Sequence, residues 1–172
     1  MTKIESGAME PNSAPHYAGD IVGTALARAA KILEHHKTEM SIPAELPMVR
    51  VDQVLFEQVI FNLLDNAAKY APEGSVIQIE GWADADNVVV QVSDEGPGIP
   101  PADLDRIFDT FYRVRKGDRV RAGTGLGLSI CRGFIEAMGG TITAGNRRGR
   151  PGAVFTIHLP KPTDIPKLDE LK

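Results

Sequence analysis

A stripe of polar side chains runs along one side of an otherwise apolar segment, DQVLFEQVIFNLLDNAAKY. The members of this polar stripe recur at helical spacing: Gln58, Asn62, Asn66 and Lys69. At about 100° per residue, a helix places all four within an arc of roughly 80°. Asparagine is a poor helix-interior residue because its amide competes for backbone groups. Two interpretations stay open: the stripe faces solvent, or its amide oxygens and lysine bind a phosphate–magnesium group.

A carboxylate, Asp94, continues the core-facing row of a predicted strand, NVVVQVSD. Because side chains alternate along a strand, Val88, Val90 and Val92 share one face, and Asp94 falls on that same face. A carboxylate in such a place is costly unless it has a partner. Either Asp94 caps the turn that follows, or it accepts a hydrogen bond from the exocyclic amine of a bound base. The second interpretation would favour adenine over guanine.

Glycines concentrate in two loops. Gly96 and Gly98 follow Asp94 and give the backbone room to approach another group closely. A second set lies at the start of a predicted helix, where backbone N–H groups and the helix dipole suit a phosphate: Gly123, Gly125 and Gly127. This second loop is not a Walker A loop, since no Gly-Lys-Ser/Thr closes it. It is also a poor dinucleotide fingerprint, since no strand is predicted before it.

A basic segment, RVRKGDRVRAG, lies between these two loops and is predicted to be a loop itself. Its five basic side chains are Arg113, Arg115, Lys116, Arg119 and Arg121. Most of them are expected to face solvent. One arginine of a lid between two phosphate-binding elements is nevertheless well suited to reach a γ-phosphate.

The elements that must position these residues are mixed helices and strands. Asp20 and Asp52 are predicted to cap two of the helices. Helices are predicted over residues 20–36, 53–70, 102–113 and 126–138. Strands are predicted near residues 39–42, 49, 75–82, 87–94, 141–144 and 153–159, with the third and fourth forming a hairpin. The pattern predicts an α+β fold with helices laid on one face of a sheet.

Composition excludes several other classes. The 172 residues carry 19 Lys and Arg against 23 Asp and Glu, a net charge of −4, which argues against a general nucleic-acid binder. The single cysteine, Cys131, indicates a reducing compartment. No apolar run resembles a membrane span or a secretion signal, so a soluble, cytoplasmic and monomeric fragment is expected. We predict a linker over 1–19, one domain over 20–161 and a polar tail over 162–172.

Taken in order, four motifs resemble those of the ATP-binding domain of sensor histidine kinases, in the superfamily shared with gyrase, Hsp90 and MutL. NLLDNAAKY resembles the N box, DEGPGIP the G1 box, FDTFYR the F box and GTGLGL the G2 box. The motifs cover about residues 20–160. Within the family, the G1 box, the G2 helix and the Asn-Arg pair that follows are most similar to the potassium-responsive sensor kinases. The start, MTKIESGAM, resembles the junction after the second helix of a dimerisation domain.

The resemblance implies a Bergerat-type α/β sandwich, with a mixed sheet of about five strands and three helices on one face. It implies binding of ATP and Mg²⁺ between the N-box helix and a flexible lid. Asn62 would coordinate magnesium, Asn66 and Lys69 would hold phosphates, and Tyr70 would lie near the ribose or phosphate. Asp94 would bind the adenine amine.

The remaining site residues implied by the resemblance lie in the loops. Those expected to shape the adenine pocket are Gly96, Gly98 and Ile99. Phe108 and Phe111 would pack the base of the lid, or serve as core aromatics, and Arg113 would approach the γ-phosphate. The backbone amides expected to line the phosphate path are those of Gly123, Thr124, Gly125, Leu126, Gly127 and Leu128.

The resemblance further implies that the phosphoryl group goes to another protein domain. In the gyrase and Hsp90 relatives a glutamate, at the position of Gln58, acts as base for water, and glutamine cannot accept that proton. None of the four histidines lies in a His-Glu-Leu-Arg-like setting: His16, His35, His36 and His158. The acceptor is therefore expected on an upstream dimerisation domain of a dimeric, membrane-bound kinase that serves a response regulator. A gyrase-type ATPase and a nucleotide-binding module without transfer remain the alternatives.

Overall fold

The computed structural model describes residues 10–109 and 127–162. In this part of the chain the helices are Ala18–Arg28 (α1), Gln53–Tyr70 (α2) and Gly127–Ala137 (α3). The strands are Ala14–His16 (β1), Lys37–Ser41 (β2), Val49–Val51 (β3), Val76–Ala83 (β4), Asn87–Ser93 (β5), Thr141–Asn146 (β6) and Ala153–Pro160 (β7). No helix of the described residues is both long enough and apolar enough to cross a bilayer.

The main sheet has five strands in the order β2-β4-β5-β7-β6. β2 pairs with β4 in parallel, whereas the other three pairings are antiparallel. β1 and β3 form a separate antiparallel pair. The sheet and the three helices confirm the predicted two-layer α/β sandwich, and β4 and β5 confirm the predicted hairpin.

The core lies between the helices and one face of the sheet. Val88, Val90 and Val92 of β5 are almost completely buried, as the two-residue alternation predicts. Helix α2 supplies a large share of the apolar surface from the side opposite the polar stripe. Its buried residues are Phe56, Val59, Ile60, Leu63, Leu64, Ala67 and Ala68. The predicted bounds of α2 are confirmed, and the Asp52 side chain caps it by accepting from Val54 N and Leu55 N.

The prediction for α1 is wrong at both ends. The helix begins at Ala18, and Asp20 lies in its first turn instead of capping it. There the carboxylate still interacts favourably with the positive end of the helix dipole. The helix ends at Arg28. Residues 29–35 continue in turns, and several of the backbone hydrogen bonds there join residues that are three apart, such as Glu34 N to Lys31 O.

The predicted helix over 102–113 is also wrong where the structure describes it. Pro101–Asp103 form a single 3₁₀ turn, and the following residues continue in turns. The backbone bonds here span three residues, as from Arg106 N to Asp103 O and from Asp109 N to Arg106 O. The adjoining prolines and the aspartates favour such turns over an α-helix. Residues 110–113 lie outside the described residues.

The N-terminal segment takes part in the fold before α1 begins. Ala14–His16, within the segment assigned to a linker, pairs with Val49–Val51. The backbone N–H of Asn12 also donates to the Asp52 carboxylate, at 2.8 Å. The proposed domain boundaries remain a prediction, with residues 10–19 held closely against the domain.

Candidate functional site

The polar stripe of α2 lies between two other elements that the sequence singles out. Near its middle, Asn62 Nδ2 donates to Gly127 O, the first residue of α3, at 3.4 Å. At its C-terminal end, Tyr70 O lies against the loop after β5: a Cβ placed on Gly96 would be 2.9 Å from that oxygen. Helix α2 therefore connects the start of α3 to the loop that carries Asp94.

A hydrogen-bonded chain fixes the first half of the stripe. Arg28 Nη2 donates to Gln58 Oε1 at 3.0 Å, and Gln58 Nε2 donates to Asn62 Oδ1 at 2.7 Å. Arg28 is held in turn by Glu57 at 3.4 Å and by the Phe61 ring, 4.2 Å below its guanidinium carbon. Both ends of the Gln58 amide are thus engaged, and Asn62 turns its oxygen toward Gln58.

Gln58 is expected to make no contribution to ATP hydrolysis. Its oxygen is directed to Arg28, and an amide cannot take a proton from water at neutral pH. We therefore predict that intrinsic hydrolysis by this chain is negligible and that Gln58→Ala leaves the rate unchanged. Phosphate release measured for both proteins checks this. Fast turnover that Gln58→Ala abolishes would contradict it.

The second half of the stripe carries the charge. Lys69 Nζ lies 3.2 Å from Asp65 Oδ2, an ion pair of neighbouring turns whose side chains are only 26% and 35% exposed. Asn66 is half-buried, and Tyr70, at the helix end, is exposed. The structure thus brings Asn62, Asn66 and Lys69 onto one helix face as predicted.

Asp94 is buried, with only 4% of its surface exposed. Its Oδ1 accepts from Gly96 N at 2.8 Å and from Ala153 N at 3.3 Å. Among the described residues no donor bonds to Oδ2. Oδ1 therefore caps the turn, whereas Oδ2 accepts no hydrogen bond from the described residues, so the two interpretations of Asp94 are compatible.

Burial raises the pKa of the Asp94 carboxyl above its ordinary value of 3.8, while the N–H groups of Gly96 and Ala153 and the charge of Arg147 oppose this. A raised pKa means that the folded chain binds this proton more tightly than the unfolded chain. The stability that Asp94 contributes is therefore fully present below the unfolded pKa and is lost as the pH rises through the folded pKa.

Because the pKa of Asp94 is raised, the stability of the protein should depend on pH in a direction that can be tested. Asp94→Asn carries no titrating group, so we expect it to gain stability relative to the unsubstituted protein as the pH rises from below 3.8 through the folded pKa. Denaturant unfolding of both proteins across this range gives the difference in free energy of unfolding. A difference that is constant, or that changes in the opposite direction, would contradict the buried-carboxyl assignment.

The loop of residues 94–100, the G1 loop, packs more tightly than the sequence indicates. Gly98 has φ of +83°, and a Cβ there would be 2.7 Å from Asn146 Oδ1. Ile99 is 6% exposed, and both its N and O bond to the Asn146 side chain. Gly96 and Gly98 thus make room for other parts of this protein. Asn146 is a partner of this loop that was not predicted from the sequence, although the Asn-Arg pair belongs to the residues that carry the resemblance.

The phosphate-side predictions fall partly outside the described residues. Those outside are Phe111, Arg113, Gly123, Thr124, Gly125 and Leu126. Gly127 and Leu128 form the first turn of α3, where backbone N–H groups lack helical partners. Phe108 is a core aromatic that meets the Phe155 ring edge-on, with ring centroids 6.2 Å apart.

Cys131 on α3 is a structural residue. It is completely buried, its Sγ lies 3.7 Å from Val59 O, and burial raises the pKa of its thiol to about 12. A thiol that stays protonated is a poor nucleophile, which confirms the prediction of a buried helix residue. Within the described residues no cluster of three or more His, Cys, Asp or Glu side chains could hold a metal ion.

The fold and the site together define a class of ATPase domain. Residues 51–163 match the family described as histidine kinase-, DNA gyrase B-, and HSP90-like ATPase. This match covers well over half of the chain, so the protein belongs to this family and is a nucleotide-binding catalytic domain of the kind found in sensor histidine kinases.

The chain is also similar to particular sensor kinases. It is 40% identical to the sensor protein KdpD of Clostridium acetobutylicum over 94% of the chain, and 40% identical to KdpD of Escherichia coli over 99% of it. It spans 18% and 19% of the length of these relatives. Among solved structures, the mycobacterial sensor histidine kinase MprB is 26% identical with a TM-score of 0.76, covering 86% of this chain and 97% of that one. The full-length kinase ShkA, solved in complex with AMPPNP, is 25% identical with a TM-score of 0.78, covering 93% and 34%.

Proposed function

We propose that this chain binds ATP with Mg²⁺ and donates the γ-phosphoryl group to a histidine on an upstream dimerisation domain. One observation carries the proposal. Helix α2 presents two amides and a lysine on one face, and its end lies against the loop that carries the buried carboxylate of Asp94. Helix α2 is therefore the one rigid element that connects the carboxylate proposed to recognise the base, Asp94, to the groups proposed to bind the phosphates.

Each residue of this cleft has a definite part in the proposal. Asp94 Oδ2 accepts from the adenine amine, and burial strengthens such a bond because little water competes for it. Asn66 and Lys69 contact the phosphates, and Tyr70 lies near the ribose or a phosphate. In the proposal, Arg113 and the backbone amides of the G2 box complete the phosphate contacts; of these residues, Gly127 and Leu128 lie within the described part of the chain.

Asn62 suits a magnesium ion that is shared with the triphosphate. Magnesium prefers oxygen ligands and usually retains several waters and phosphate oxygens, so one protein amide is sufficient. Asn62 Oδ1 accepts a hydrogen bond from Gln58 and, as an amide oxygen, has a second lone pair for the metal. When bound, the ion would neutralise charge that develops on the phosphate oxygens during transfer.

The transfer step needs no base for water. An unprotonated imidazole nitrogen of the acceptor histidine attacks the γ-phosphorus, the bond to the bridging oxygen breaks, and ADP leaves. The Gln58 amide, held between Arg28 and Asn62, offers no group that would activate water in competition. This is the physical reason to favour a transferase over a gyrase-type ATPase.

The similarity to KdpD supports a further proposal about the whole protein. We infer a dimeric, potassium- or osmotically responsive sensor kinase of the inner membrane, whose response regulator is of the KdpE type and whose kinase domain faces the cytoplasm. The chain described here would be its catalytic part and would by itself be monomeric.

A transfer assay tests the proposed function. The chain is mixed with γ-labelled ATP, Mg²⁺ and a separately produced dimerisation domain of E. coli KdpD. We expect acid-labile phosphohistidine on the acceptor domain and no label on this chain. The matched control is the same acceptor with its histidine replaced. ATP binding without transfer would support the nucleotide-binding module instead, and rapid release of phosphate would support an ATPase.

A further inference from the structure

The end of β6 and the turn after it form the outer support of the G1 loop. Asn146 uses its whole amide on one residue of that loop: Oδ1 accepts from Ile99 N at 2.7 Å, and Nδ2 donates to Ile99 O at 2.8 Å. The Asn146 amide thus pairs with the backbone of Ile99 in the way that the backbone of a neighbouring strand would. Removing it leaves two backbone groups of a nearly buried residue without that partner.

The next residue holds the other end of the same loop. Arg147 Nη1 donates to Asp94 O at 3.0 Å and lies 3.8 Å from Glu95 Oε2, and the side chain is only 10% exposed. The backbone of β7 adds two more bonds, since Asp94 N donates to Ala153 O and Ala153 N donates to Asp94 Oδ1. Asp94 is therefore fixed on its carboxylate, its N–H and its carbonyl.

We propose that Asn146 and Arg147 are positioning residues for adenine recognition. They hold residues 94 and 99 of the G1 loop, on either side of Gly96 and Gly98, so that Oδ2 of Asp94 stays aimed at the base. A loop that is held before the ligand arrives avoids the entropy cost of ordering on binding. This inference rests on the proposed function, because it concerns the same nucleotide.

If the proposal is correct, removing either side chain lowers nucleotide affinity only through the contact with the base, and not through the contacts with the phosphates. Neither side chain lies on α2, which carries the groups assigned to the phosphates. Inosine triphosphate is the natural probe, because it keeps the ribose and triphosphate but has a carbonyl oxygen where adenine has its amine. If Asn146 and Arg147 act through Asp94, their loss should affect ATP and spare inosine triphosphate.

The experiment measures both nucleotides by competition for the unsubstituted protein and for Asn146→Ala and Arg147→Ala. We expect ATP affinity to fall about tenfold in each variant, as for the loss of one or two partly buried hydrogen bonds. The affinity for inosine triphosphate should stay unchanged, so the preference for ATP shrinks by the same factor. Arg147→Lys keeps a donor for Asp94 O and should therefore retain most of the preference for ATP.

Arg148→Ala is the matched control. Arg148 belongs to the same turn and carries the same charge as Arg147. It is exposed, however, and within the described part of the chain it makes no hydrogen bond to the G1 loop. We expect its nucleotide preference to equal that of the unsubstituted protein. Thermal unfolding of every variant shows which of them remain folded, and Asn146→Ala tests the proposal by itself if Arg147→Ala does not fold.

The outcomes separate this inference from the proposed function. If the unsubstituted protein binds neither nucleotide, or binds both equally, the proposed nucleotide site itself is wrong. If it prefers ATP and the variants lose affinity for both nucleotides by the same factor, the two residues are merely structural and the inference is overturned. Variants with unchanged affinity for both would overturn it as well.

Discussion

Replacing Asp94 with asparagine should weaken ATP binding about 100-fold while the domain stays folded. Asparagine keeps an oxygen for the N–H groups of Gly96 and Ala153, so the turn is preserved. Its amide nitrogen then occupies the place of Oδ2, where two donors, that nitrogen and the adenine amine, would face each other. A hydrogen bond to a charged group contributes about 1.5–3 kcal/mol, and the unfavourable pairing of two donors adds to the loss.

The same substitution should change which base is preferred. The new amide nitrogen can donate to the carbonyl oxygen of inosine, so Asp94→Asn should bind inosine triphosphate at least as well as ATP. Titration calorimetry with both nucleotides measures this. Asp86→Asn, the same change at an exposed carboxylate in the β4–β5 turn, is the control and should behave like the unsubstituted protein. Unchanged ATP affinity in Asp94→Asn would mean that the base binds elsewhere.

Asn62→Ala should reduce phosphoryl transfer to an acceptor domain at least about 100-fold. A metal ion contributes several kcal/mol of charge stabilisation in the transition state, and each 1.4 kcal/mol corresponds to tenfold in rate. The truncation removes both the oxygen proposed to hold the ion and the contact from Nδ2 to Gly127 O. The loss should therefore appear mainly in the rate of transfer, measured with saturating ATP.

Measuring ATP affinity with and without magnesium shows whether the lower transfer rate of Asn62→Ala comes from weaker metal binding. In the unsubstituted protein we expect magnesium to strengthen ATP binding, and in Asn62→Ala most of this enhancement should disappear. Asn12→Ala, at an exposed asparagine whose recorded hydrogen bond comes from its backbone N–H, is the control. If Asn62→Ala keeps the full magnesium enhancement, another residue holds the metal.

The parts of the site that depend on local periodicity could be predicted from the sequence. The spacing of Asn62, Asn66 and Lys69 already placed them on one face of a helix, and Asp52 correctly marked where that helix begins. The alternation along β5 likewise put Asp94 on the core side. Such patterns are readable because helices and strands have fixed periods.

The parts that depend on distant contacts could not be predicted in this way. Asn146 meets Ile99 across 47 residues of sequence, and Arg147 meets Asp94 across 53. Nothing in the local spacing of the Asn-Arg pair indicates which loop it will support, since the pairing of β7 with both β5 and β6 decides that. The end of α1 and the turns after Pro101 were missed because their local patterns were compatible with longer helices.

In the proposed site, one cleft joins an adenine-binding carboxylate to the polar stripe of α2. A crystal structure of this chain with a non-hydrolysable ATP analogue and Mg²⁺ would show whether this cleft binds the nucleotide. We predict the adenine amine within hydrogen-bonding distance of Asp94 Oδ2 and the metal on Asn62 Oδ1, with phosphates beside Asn66 and Lys69. A nucleotide bound away from Asp94, or a metal held without Asn62, would contradict it.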